Sequence, residues 1–435
     1  GHQAVRTAQA IINLALMTGN IGKPGTGANS ITGQCNAMGS RLFANTSSMF
    51  CGRDFTDPGD RKAVADILDI DAGAIPPRAS KSYDQILDSI LRGKIKALWI
   101  VATNSVHSWI NRHDLEDVLT RLDFLCVQDL YSDTTTAARA DLFLPAAGWG
   151  EKEGVFINSE RRLGVVRKLM RPPGLAMTDF DIFRLVAHSW GCSGMFKRWT
   201  SPGAVFEILK RLSRGRPCDI SGIRDYDMIE DDGGLQWPYP EGEPSVEGTE
   251  RLFADGRFYH GDGRARFLFA PPRPLPEPVC ERYPYALLTG RGSSAQWHTQ
   301  TRTGRSTMLA DMAPREAYAE LNPRDAGRIG VGQGDWLIVF SRRGRARARA
   351  LLTETVSPGQ VFIPMHYDET NNLTMAVVDP FSRQPAYKHT AVNIRPMEEW
   401  EARKDRGPIS RTEAPSPFLS SLRGRLALGG RNRRA

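Results

Sequence analysis

The tightest constraint in this chain is a run of alternating strand and helix signals between residues 84 and 145. Ala-Leu-Trp-Ile-Val-Ala-Thr at 97–103 is a continuous apolar run of strand length, the pattern of a strand covered on both faces. A helical pattern at 84–92 precedes it. Leu115, Val118, Leu119 and Leu122 then recur at i, i+3, i+4 and i+7, one face of a helix. Phe-Leu-Cys-Val-Gln at 124–128 predicts the next strand, and Asp-Leu-Phe-Leu at 141–144 another. A strand, a helix and a second strand within about 34 residues imply a right-handed crossover and a parallel sheet. The expected class is therefore α/β, and in such sheets ligands bind beyond the carboxyl ends of the strands.

Those strand ends carry polar residues: Asn104 and Ser105, then Gln128 and Asp129 with Thr134, Thr135 and Thr136, then Glu151 after the third strand. Asn or Asp there can read a ribose or a base edge, and threonines at a helix start can bind phosphate. The same residues can equally cap turns and helices. No G-x-G-x-x-G stands at a strand–helix junction, and there is no P-loop and no H-E-x-x-H, so an ordinary NAD or ATP site has no support.

Elsewhere, residues 3–17 read as a helix ended by Gly19, followed by a Gly/Asn/Ser/Thr-rich segment, 19–53, too long for a simple connector. Residues 213–282 show little periodicity, and the proline run 271–278 is a stiff linker and the best domain boundary. Beyond it, short strands are expected near 284–289, 335–340, 346–354, 361–364 and 391–395, an all-β barrel of roughly 115 residues. Arg345, Arg347 and Arg349 alternate with alanines, a strand with its arginines outward rather than an RNA stripe. Trp297-His298-Thr299 draws notice after a Gly290-Arg291-Gly292 turn, though a lone histidine is more often structural.

Charge narrows the partners. The net charge is +8, but residues 397–435 hold nine basic and five acidic residues, leaving +4 on the other 396. A nearly balanced body argues against a nucleic-acid protein defined by its field. No apolar run approaches membrane-spanning length, and no signal peptide is visible. The six cysteines (Cys35, Cys51, Cys126, Cys192, Cys218, Cys280) form no close pair, which points to buried thiols in a reducing compartment. The first residue is Gly1, not Met.

Five stretches together resemble the molybdopterin-guanine-dinucleotide oxidoreductase family, most closely its assimilatory nitrate reductase branch. They are 19–41 (Gly-Asn-Ile-Gly-Lys-Pro-Gly through Gly-Ser-Arg), 101–111, 127–162 (ending Glu-Lys-Glu-Gly-Val-Phe-Ile-Asn-Ser-Glu-Arg-Arg), 289–305 and 363–395. The resemblance spans roughly residues 1–396. It implies Rossmann-like parallel-sheet domains followed by a double-psi β-barrel. The implied segments are 1–45, the end of one α/β domain; 46–275, a cofactor-binding domain; 280–396, the barrel; and 397–435, a basic flexible tail.

Roles follow from the matching positions. Asn104, Gln128, Asp129, Thr134 and Thr136 are expected to hold a guanine dinucleotide, with Glu151, Asn158 and Glu160 lining the cofactor. Gly290, Arg291, Trp297, His298 and Thr299 are expected along the pterins, with Asn372 and Lys388 in the stretch that closes over them. Gln34 and Arg41 are placed by the molybdenum, where a guanidinium can fork onto planar nitrate. The implied cofactor is bis-molybdopterin guanine dinucleotide, and the implied reaction is reduction of nitrate to nitrite in the cytoplasm, with an electron donor protein or reductase subunit and with neither nucleic acid nor membrane as partner. The family's cysteine set for a 4Fe-4S cluster is absent, and no residue here is expected to ligate metal. The expectation is a C-terminal portion whose Fe–S part lies upstream. A formate dehydrogenase of the same superfamily is the nearest rival, distinguished by the arginine such enzymes place where Thr32 stands. A truncated, non-catalytic cofactor- or partner-binding chain is the other.

Overall fold

The computed structural model describes residues 1–43, 49–242, 251–293 and 296–398. Nearly all of the basic tail lies outside them. In chain order the strands are β1 (Ala97–Val101), β2 (Phe124–Asp129), β3 (Leu142–Pro145), β4 (Gly154–Ile157), β5 (Arg162–Val166), β6 (Leu235–Gln236), β7 (Tyr285–Gly290), β8 (Tyr318–Leu321), β9 (Trp336–Phe340), β10 (Arg345–Leu352), β11 (Gln360–Pro364) and β12 (Thr390–Pro396). The chain forms two compact units. One gathers Gly1–Thr7, Tyr83–Leu144 and the chain from Ala270 onward; the other gathers Ala8–Ser82 and Pro145–Phe269. These units cut across the linear segments expected from the sequence, since 83–144 groups with the barrel and 49–82 with 145–269. One cut falls at 269/270, where the proline run is about to begin.

In the first unit β1, β2 and β3 form a sheet in that order, with β1 and β2 parallel in the register Ala97↔Phe124 to Val101↔Gln128. The crossover helix Arg112–Leu119 stops before Leu122, and it buries Leu115, Val118 and Leu119 with Leu87 and Ile90 of the helix Tyr83–Leu91. Ile100, Leu125 and Val127 form the layer beside them.

The second element of this unit is a closed barrel in the order β10-β8-β11-β7-β12-β9. Two neighbouring pairs, β10/β8 and β11/β7, are parallel; the others are antiparallel. Every second side chain points inward, so Leu287, Leu321, Leu337, Val339, Val361, Ile363 and Val392 fill the interior. Ala346, Ala348 and Ala350 are inside, while Arg347 and Arg349 stack over the Trp336 ring at 4.6 and 3.9 Å. The arginine ladder is thus the outer face of β10. β8 had no sequence expectation, because Tyr-Ala-Glu-Leu is too short to show alternation.

The second unit is built on the antiparallel sheet β4-β5-β6. Its core joins Ile157 and Leu163 of the sheet to Val64, Phe206, Leu212 and Ile229 of three helices, Pro58–Leu68, Pro202–Ser213 and Tyr226–Asp231. Gly164 is required by a close approach: a Cβ there would sit 2.5 Å from Phe156 Cζ across the pair. No described helix is long and apolar enough to cross a membrane.

Candidate cofactor site

The first unit carries most of the residues singled out from the sequence. At the end of β1, Asn104 Oδ1 accepts from Thr135 Oγ1 (2.8 Å), Thr136 N (3.1 Å) and Thr136 Oγ1 (2.8 Å). Thr136 Oγ1 in turn accepts from Val106 N (2.9 Å), and Thr134 Oγ1 from Ala137 N (3.1 Å). Asn104 therefore braces the two strand-end loops and makes no side-chain cap on the short helix Ser105–Ser108. Gln128 is fully buried in β2. Asp129 is half-buried; partial desolvation raises its carboxyl pKa, against the pull of its own following amides and Arg302.

The strand-end loops are bonded to the barrel loops of the same unit. Asn371 Nδ2 donates to His107 O (2.9 Å), Tyr387 Oη to Ser108 O (2.8 Å), and Thr374 Oγ1 accepts from Asn111 N (3.2 Å). His107 Nδ1 pairs with Asp368, a contact that keeps the Asp368 carboxyl below its usual range. Arg305 pairs with Asp133 and lies over Tyr131, 4.1 Å from its ring centre.

These bonds bring the barrel candidates to the same place. Arg291 covers the exposed Trp297 ring at 4.9 Å. Lys388 Nζ donates to Thr289 O (2.9 Å) and lies 3.8 Å from the position of a Gly290 Cβ. Desolvation and then the like charge of Arg291 lower the Lys388 pKa, and Lys388 contributes to lowering that of the Gly1 amino group. No carboxylate pairs with Arg291 or Lys388 among the described residues. Desolvation, then His107, Arg291 and His366, push His298 down. Thr299 Oγ1 lies 3.5 Å from Thr301 Oγ1.

His366 was not singled out from the sequence, although it follows β11 as the other candidates follow their strands. Gly292 N donates to its Nε2 (3.1 Å), so the ring proton sits on Nδ1 and is donated to His298 O (2.7 Å). This neutral, buried ring ties the 290–292 turn to the Trp297-His298 loop. Gly292 is tight as well: a Cβ would meet Gln296 Oε1 at 2.7 Å and Tyr318 Oη at 2.8 Å.

The remaining candidates lie in the second unit. Glu151 Oε2 accepts from Gly148 N (2.6 Å), capping its own turn. Asn158 Oδ1 accepts from Glu160 N (2.9 Å) and Arg162 N (3.0 Å) and so shapes the β4–β5 turn, with the Glu160 side chain exposed. Gln34 is exposed in its loop, and Arg41 is exposed on the helix Ala37–Phe43 with no ion-pair partner among the described residues. Asn36 Oδ1 accepts from Ile157 N (3.0 Å) and anchors this loop to β4.

Two family signatures match the chain: one described as molybdopterin oxidoreductase over residues 2–189, and one described as molydopterin dinucleotide binding domain over 285–391. Among curated relatives, a nitrate reductase of Synechocystis sp. is 38% identical over 405 residues, covering 91% of this chain and 56% of that protein. An assimilatory nitrate reductase of Haloferax mediterranei is 34% identical, covering 90% and 55%. An F420-dependent formate dehydrogenase subunit alpha of Methanocaldococcus jannaschii is 35% identical, covering 90% and 56%. Among solved structures, acetylene hydratase from Pelobacter acetylenicus shares the fold with a TM-score of 0.54 at 17% identity, covering 74% of this chain and 47% of its own. The chain belongs to the molybdopterin oxidoreductase family. It spans about half the length of the curated relatives it matches.

The residues present fit such a cofactor. Arg291 and Lys388 are cations without a carboxylate partner among the described residues, suited to a pyrophosphate. Ser105 Oγ and Asn372 Oδ1 are buried with no hydrogen-bond partner among the described residues, polar atoms whose burial a ligand donor would offset. Among the described residues no three His, Cys, Asp or Glu side chains gather as a metal site.

Proposed function

We propose that this chain is the C-terminal portion of a nitrate reductase that converts nitrate to nitrite with a bis-molybdopterin guanine dinucleotide cofactor. The observation that carries this reading is the set of relatives named nitrate reductase, 33–38% identical over about nine tenths of the chain or more. When bound, the cofactor supplies two-electron oxygen-atom transfer, in which nitrate, two electrons and two protons give nitrite and water. The chain's residues bind and orient. Arg291 and Lys388 neutralise the dinucleotide's phosphates, with the Trp297 face beside them. Asn104, Thr134 and Thr136 hold the strand-end loops in shape, and Gln128 and Asp129 offer a base or ribose partner. Asn372 supplies a buried acceptor. Arg41, on the helix Ala37–Phe43, presents a planar donor pair to nitrate, and Gln34 of the preceding loop adds an amide. Glu151, Asn158 and Glu160 are assigned to the cofactor through the family motif they occupy. Electrons arrive from a donor protein or reductase subunit, a 4Fe-4S cluster in the remainder of the polypeptide relays them, and the setting is cytoplasmic.

A second reading, formate oxidation, is favoured by the formate dehydrogenase relatives at 31–35% identity. Thr32 speaks against it, because it stands where the family resemblance implies an arginine in formate enzymes. The test is to co-purify the chain with the upstream polypeptide of its locus, measure molybdenum and released guanine nucleotide, and assay nitrate with reduced viologen and formate with oxidised viologen. Nitrate turnover supports the proposal, and formate turnover without nitrate turnover replaces it.

A further inference from the structure

Cysteines far apart in the chain meet in the second unit. Cys51 and Cys218 are both free thiols, each 3% exposed, in the core of that unit. Their side chains are hydrogen-bonded to each other. Two further bonds tie the segments that carry them. Arg216 Nε donates to Cys51 O (3.2 Å), and the buried Arg53 donates from Nη1 to Leu212 O (2.7 Å). Cys51 is held at φ 56, a left-handed backbone that a residue with a Cβ seldom adopts, and such outliers gather where function requires them. The hydrogen bond from Cys51, helped by the charge of Arg216, draws the Cys218 thiol pKa down against desolvation, which marks Cys218 as the nucleophile of the pair. Neither sulfur has a part in the cofactor site.

We propose that Cys51 and Cys218 form a reversible oxidation site that closes to a disulfide when the chain meets hydrogen peroxide. The Cys218 thiol releases its proton, and the thiolate attacks one peroxide oxygen. The O–O bond breaks, Cys218 becomes a sulfenic acid, and the departing hydroxide takes up the released proton as water. The Cys51 sulfur then attacks the Cys218 sulfur. The S–O bond breaks, and hydroxide leaves with the Cys51 proton as a second water. Each sulfur gives up one electron, and the two peroxide oxygens receive them. At 3% exposure an oxidant close to water in size reaches the pair more readily than a bulky disulfide does. In a reducing compartment such a bridge is transient, as in redox sensors. The bridge fastens the segment that follows the helix Ala37–Phe43, whose Phe43 shares this core. The inference goes beyond the nitrate reading and does not depend on it.

The test treats the purified 435-residue chain with hydrogen peroxide, blocks the remaining thiols by alkylation and maps the digest by mass spectrometry without reductant. The expected result is a Cys51–Cys218 linked peptide that disappears after dithiothreitol, while Cys126, buried without a cysteine neighbour in the other unit, is recovered as the alkylated thiol. Cys51→Ser is expected to leave Cys218 as a sulfenic acid that dimedone traps, and Cys218→Ser to leave Cys51 reduced. The map of the unsubstituted chain decides the matter if a variant fails to fold. Cys51 and Cys218 still reduced once the exposed Cys35 and Cys280 are oxidised, either one linked mainly to another cysteine, or a link that forms only in urea would each overturn the proposal. The assay contains no molybdenum and no nitrate, so a failure here is read separately from a failure of the nitrate reading.

Discussion

His366 shows how a single ring can set a loop. Its Nε2 accepts from Gly292 N and its Nδ1 donates to His298 O, an arrangement only the neutral imidazole can make. Desolvation, with Arg291 and His107 nearby, lowers its pKa against the help of the His298 carbonyl. The folded pKa lies below the unfolded value of about 6.5, so the unfolded chain binds more protons between the two. The contribution to stability is therefore complete above about pH 6.5 and is lost as pH falls through the folded pKa. Urea denaturation from pH 8 to 5 is expected to show this loss, and His366→Gln to flatten it at a cost of about 1–2 kcal/mol at pH 8. Arg291 and Lys388 are a second case. Hydrogen bonds to charged groups contribute about 1.5–3 kcal/mol, so under the proposed cofactor assignment Lys388→Glu or Arg291→Glu is expected to cut guanine nucleotide retained on the purified, cofactor-loaded protein by about tenfold or more. Unchanged nucleotide content would remove these two from the site. The sequence marked Arg291, His298 and Lys388 through family resemblance, whereas His366 needed the structure, because only the fold shows which amide meets its ring.

At the scale of elements, the strand-end loops depend on Asn104. One carbonyl oxygen takes three hydrogen bonds from Thr135 and Thr136, so Asn104→Ala leaves buried donors unmatched. A loss of about 1–3 kcal/mol is expected in chemical denaturation, with faster amide exchange in 134–137. This is the capping alternative left open by the sequence, made specific: the side chain braces two loops instead of starting a helix. The barrel offers the complementary prediction. Ala348 is fully buried inside it, and Ala348→Leu is expected to overpack the interior by about 1–3 kcal/mol, read as a lowered denaturation midpoint. β10 was legible because eight residues alternate without interruption. β8 was not, because four residues cannot establish a period and Glu320 breaks the apolar signal. β4 and β5 were hidden within a stretch read only for its family motif.

For the whole molecule, the chain matches about half of each leading relative and holds no cluster of metal-ligating side chains among its described residues. The purified 435-residue chain alone is expected to retain no stoichiometric molybdenum and to show no nitrate reduction with reduced viologen; robust activity from it would refute that expectation. Read alone, the sequence determined the parallel β1–β2 unit, the barrel and the family, because continuous apolar runs, two-residue alternation and motif order are properties of the linear chain. Its first signs of division were a proline run and a charge-biased tail. Tertiary structure alone decided which distant segments share a unit. It set 83–144 with the barrel, joined His107 to Asp368 and Asn371, and made Cys51 and Cys218 neighbours in one core, where their mutual hydrogen bond and burial raise the Cys51 pKa. The physical reason is that such pairings follow from how apolar faces close over one another in space, and spacing along the chain does not encode that closure.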